Sequence, residues 1–85
     1  MRTMENNKAL NLEDVKILIE KAYAIMQLGK EIMIIGNNLG VTVTVYNAER
    51  NRRVFLIPCI SEITRDAYNE CITYLDKLAG EEIDN

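Results

Sequence analysis

Six consecutive residues, Val41-Thr42-Val43-Thr44-Val45-Tyr46, alternate without a break between apolar β-branched and more polar side chains. A side-chain period of two is the signature of a strand with one face buried and one face wet. Asn47-Ala48-Glu49-Arg50-Asn51 follows as a polar turn, and Arg53-Val54-Phe55-Leu56-Ile57 returns as a second strand. Pro58 ends that strand or sits on an edge, because proline has no N–H to give a ladder. The segment therefore reads as a β-hairpin with Val41, Val43 and Val45 on one face and Thr42, Thr44 and Tyr46 on the other. A hairpin alone is marginal in water, so the rest of the chain must cover its apolar face.

The flanking segments have helical periodicity. Asn11 reads as an N-cap, with Glu13 and Asp14 in the first turn and Asp14 placed to complete a capping box. Leu12, Val15, Ile19, Ala22, Met26, Gly29, Met33 and Gly36 then recur at steps of three and four, and Leu18, Ile25 and Ile32 widen the stripe. Residues 29–40 allow two readings. In one the helix ends at Gly29, Ile32–Ile35 is a strand, and residues 36–40 turn it. In the other the helix continues to Asn38, with Gly40 as its C′ residue. The second is adopted, since the stripe keeps its phase through Gly36. A further helix begins at Ser61 or Thr64, carries Ile63, Ala67, Cys71, Tyr74, Leu75 and Leu78 on its apolar side, and stops at Gly80. The expected fold is α+β in the order α-β-β-α, with α-β-β-β-α as the alternative. Residues 1–10 read as a loose leader, 11–80 as one domain and 81–85 as an acidic frayed end.

A helix from Leu12 to Asn38 would be about 40 Å long at ~1.5 Å per residue. A chain of 85 residues packs into a globule only about 30 Å across. The overhanging stripe would be exposed, and a second copy is its simplest cover. Ala22, Met26, Gly29, Met33 and Gly36 are the expected seam, where small residues let two helix backbones approach. Pairing of two hairpins across a two-fold axis would add a shared sheet. A homodimer, or a dimer of dimers, is the expected assembly.

Composition narrows the chemistry. There is no histidine, which removes the commonest general base and metal ligand. Cys59 and Cys71 are too few for a disulfide framework or a cysteine zinc site, and Cys71, on an apolar helix face, reads as a small core residue. A net charge of -3 argues against duplex DNA as a partner. No apolar run approaches bilayer length, and a reduced, cytoplasmic setting is the default. No metal or cofactor is expected, and no nucleophile–base constellation suggests an enzyme.

Arg50, Arg52 and Arg53 form a basic cluster at the hairpin turn, with Tyr46 and Thr44 close by. Such a group can clamp a carboxylate or phosphate, and Tyr46 can stack on a base. A solvated turn whose charges discourage edge pairing is the plainer reading. The functional expectation is a small, self-associating, non-catalytic binding protein that regulates or inhibits another macromolecule, as counter-defence inhibitors of phage or plasmid type and toxin-neutralising proteins do. The alternative is an oligomeric binder that sequesters a nucleotide or other anionic ligand at an interface pocket.

Overall fold

The computed structural model describes residues 9–46 and 51–84, with side chains described through residue 80. The order is α1 (Leu12–Gln27), β1 (Glu31–Asn37), β2 (Gly40–Tyr46), β3 (Arg52–Pro58) and α2 (Thr64–Asp84). The strands form an antiparallel sheet in the order β1-β2-β3, and both helices pack on one face of it. The fold is α+β with the order α-β-β-β-α.

Helix α1 starts as the sequence indicates. The Asn11 side chain accepts from the Asp14 N–H at 2.8 Å, and the Asp14 carboxylate accepts from the Asn11 N–H at 3.0 Å, a complete capping box. It does not continue to Asn38. Gly29, at φ 89°, is the C′ residue, and the Gly29 and Lys30 N–H groups donate back to the carbonyls of Met26 and Ile25. These two bonds make a Schellman motif, which satisfies carbonyls that an ending helix leaves open. Residues 31–37 then leave as a strand. The match of Met33 and Gly36 to the helical stripe is coincidental: in the strand they take opposite faces, Met33 with Ile35 and Gly36 with Ile32 and Ile34.

Asn37 closes the first hairpin. Its side-chain carbonyl accepts from the Leu39 N–H at 2.8 Å and the Gly40 N–H at 3.2 Å, the local bonding that makes asparagine a turn residue. The β1–β2 register runs unbroken from Glu31↔Tyr46 to Asn37↔Gly40, and β2–β3 from Gly40↔Pro58 to Tyr46↔Arg52. Residues 47–50, which carry most of the expected second turn, lie outside the described residues.

The core lies between the sheet and the helices. Leu18 and Ile25 of α1, Val43 and Val45 of β2, Phe55 and Ile57 of β3, and Tyr68, Cys71 and Leu75 of α2 form one buried cluster. Each such side chain contributes ~1.5–3 kcal/mol relative to exposure. Val43 and Val45 share a face, and Cys71 is a core residue, both as the periodicity indicates. Helix α1 is rotated from expectation: Leu18, Ala22 and Ile25 are buried, while Leu12, Ile19 and Met26 are exposed. Tyr68 of α2 is in the core, whereas Ile63, just before the helix, is exposed. Helix α2 also runs through Gly80 to Asp84, so Gly80 is not its stop.

Residues 9 and 10 are tied to the segment after β3. Ala9 bridges to Ile60, and the Leu10 N–H donates to the Cys59 carbonyl at 2.8 Å. The Cys59 N–H donates to the Leu39 carbonyl at 2.9 Å. Thr64, fully buried, spends its hydroxyl on the Pro58 carbonyl at 2.9 Å. Residues 1–8 lie outside the described residues.

Candidate interaction surface

Strand geometry sends alternate side chains to opposite faces. With both helices on the face of Val43 and Phe55, the other face of the sheet has no protein layer over it among the described residues. The register arranges that face in rows. Glu31, Tyr46 and Arg52 form the first, Met33, Thr44 and Val54 the second, Ile35, Thr42 and Leu56 the third, and Asn37, Gly40 and Pro58 the fourth.

The two middle rows are apolar on both outer strands and threonine in the centre. Met33 is 43% exposed, Ile35 56%, Val54 42% and Leu56 68%. A sheet face evolved only to meet water alternates to polar residues at these positions. Toward the hairpin tip the patch opens into a shallow depression of about 290 Å³, lined by Ile35, Leu39, Thr42, Leu56 and Pro58 among others. Leu39 stands 76% exposed at its rim. At the opposite end, Glu31 and Arg52 flank Tyr46 and give the patch a polar border carrying both signs of charge.

The basic cluster does not converge. Arg52 and Tyr46 are register partners on the open face, beside Thr44. Arg53 follows the parity of Phe55 and lies on the helix side. Its guanidinium stacks 4.9 Å from the Phe55 ring centroid and 5.3 Å from that of Tyr74, and it reaches the Glu70 carboxylate at 3.6 Å. Arg53 thus braces β3 to α2. Arg50 lies outside the described residues.

The expected helix seam is dispersed. Ala22 and Met26 remain on α1, Gly29 is in the Schellman turn, and Met33 and Gly36 belong to β1. Met33 joins the open face, whereas Ala22 and Met26 line a separate groove between α1 and the edge of β1. A seam along one helix cannot form, because the helix that would carry it ends at Gln27.

Ile35, Val54, Leu56 and Leu39 escaped sequence reasoning. The signal was present: Ile32–Ile35 and Val54–Ile57 are continuous apolar runs, as expected of strands apolar on both faces. Among the described residues no cluster of three metal-ligating side chains occurs, and no helix is long and apolar enough to cross a membrane. Comparison with protein families, curated proteins and solved structures gives no match for this chain.

Proposed function

We propose that the chain is a non-catalytic binding protein that regulates or inhibits another macromolecule by covering part of its surface. The carrying observation is the uncovered face of a two-layer fold, where Met33, Ile35, Val54 and Leu56 stand exposed around Thr42 and Thr44. Exposed apolar side chains on both outer strands, around a threonine centre and with a polar border, have the anatomy of a protein-binding site. Leu39 and Leu56 supply anchors, the depression between them accepts an anchor from the partner, and Tyr46 and Arg52 add directional contacts at the border. The absence of histidine supports a role without acid–base chemistry at neutral pH. We place the action in the cytoplasm, with counter-defence inhibition or toxin neutralisation as the versions to test first.

The test is quantitative affinity capture with three proteins side by side: the wild type, Leu56→Glu and Leu39→Glu. Both positions are more than half exposed, so each variant should keep the wild-type circular dichroism spectrum. A partner retained by the wild type and lost from both variants supports the proposal. A partner retained equally by all three shows that the open face is not the binding site.

A further inference from the structure

We propose that a second copy of this chain docks on the edge of β1 that no strand pairs among the described residues, joining two sheets into one of six strands around a two-fold axis. This goes beyond the open-face reading: it shares Met33 and Ile35 with that face but rests on the β1 edge and the groove beside it.

The two edges of the sheet are protected unequally. Edge strand β3 carries Arg52, Arg53 and Pro58, residues that obstruct strand addition. Edge strand β1, Glu31-Ile32-Met33-Ile34-Ile35-Gly36-Asn37, has a single charge at its first position, no proline, and a register without a bulge. Seven residues of regular strand therefore offer their outward N–H and C=O groups for pairing.

Beside this edge runs a groove of about 300 Å³, lined by Ile19, Ala22, Tyr23 and Met26 of α1 and by Ile32 and Ile34 of β1. Every lining residue is uncharged. Ile32 and Ile34 are only partly buried, so α1 stops short of the edge and leaves space for a neighbouring helix.

The occupant is a copy because β1 complements itself. With the axis through Ile34, antiparallel pairing sets Ile32 against Gly36 of the second copy, a large residue against an absent side chain. Met33 meets the second copy's Ile35 on the open face, and Glu31 meets its Asn37, so no like charges oppose. The area is also adequate. Ile19, Tyr23, Met26, Met33 and Ile35 are each roughly half exposed. At on the order of 100 Å² apiece they bring about 500 Å² per copy, and the strand backbone with Ile32 and Ile34 raises this toward the ~800 Å² per partner of a standard interface.

Light scattering and sedimentation of the full chain test the proposal. The expected mass in the micromolar range is twice the 9.7 kDa of one chain. The double variant Tyr23→Glu with Met26→Glu, at two exposed groove positions, should weaken association at least about tenfold while keeping the wild-type circular dichroism spectrum. Leu56→Glu should stay dimeric. Hydrogen exchange should show alternate β1 amides protected in the wild type and fast in the double variant. A wild type that is monomeric and folded at high concentration overturns the proposal. So does a dimer that survives the double variant, dissociates with Leu56→Glu, or leaves every outward β1 amide exchanging freely. Loss of partner capture with intact dimerisation, or the reverse, separates this proposal from the open-face one.

Discussion

Asp14 ties the start of α1 to α2. Its carboxylate caps α1, receives both terminal nitrogens of Arg65 from α2, and lies under a backbone carbonyl that accepts from the Tyr68 hydroxyl at 2.8 Å. Arg65 also donates to the Ala9 carbonyl at 3.2 Å, tying the start of the described chain to the same point. Burial pushes the Asp14 carboxyl up. The Arg65 hydrogen bond, the Asn11 N–H and the Arg65 charge together outweigh it and hold the group below its ordinary value of 3.8. A depressed carboxyl adds stability that is fully present above 3.8 and is lost as pH falls through the lower native value. Asp14→Asn should cost ~1–3 kcal/mol in urea unfolding at neutral pH, and its stability should fall less than that of the wild type on acidification below about pH 4. Cys71 gives the opposite sign. Burial pushes its thiol from 9.0 up to about 11, so its contribution is complete below pH 9.0 and disappears as pH rises toward 11, by up to ~3 kcal/mol. A thiol reagent should modify Cys59 in the native protein and reach Cys71 only on unfolding.

At the scale of elements, the two glycines that bound the first hairpin do unlike work. Gly29 supplies a left-handed backbone in open space, so a side chain there is opposed by conformation alone. At Gly40 a Cβ would lie 2.3 Å from the Ile57 carbonyl oxygen, a main-chain atom held in the sheet. Gly40→Ala should therefore destabilise by several kcal/mol or prevent folding, whereas Gly29→Asn should cost about 1 kcal/mol or less, as thermal unfolding can measure. The α1 capping box, the β2–β3 hairpin and the core position of Cys71 were legible in the sequence, because each rests on neighbours within a few residues. Strand β1 was not. Its Ile32-Met33-Ile34-Ile35 run satisfies both periods, and the deciding fact is the Schellman turn at Gly29, whose competitor at Gly40 looks equally apt in sequence. The open face was hidden for the same reason: until β1 is a strand, Met33 and Ile35 have no register with Thr44 and Thr42. Arg53 was misplaced because charge, rather than parity with Phe55, guided its assignment.

At the scale of the whole molecule, the layer between sheet and helices is sealed, while the open sheet face and the β1 groove stay uncovered among the described residues. Leu56→Glu should change monomer stability by no more than about 0.5 kcal/mol, since exposed positions rarely do more. The wild type's melting temperature should rise with protein concentration, while that of the Tyr23→Glu, Met26→Glu variant should not, because association adds stability by mass action. One further feature acts on the molecule as a unit. The dipeptide Pro58-Cys59 bonds to the chain's early residues through Leu10, to a hairpin tip through Leu39 and to a helix start through Thr64. Such a clasp ties the segment before α1, the tip of the first hairpin and the start of α2 to one point. Detaching any one of these segments breaks bonds at the point that holds the others, so denaturation should proceed as a single step seen alike by every probe.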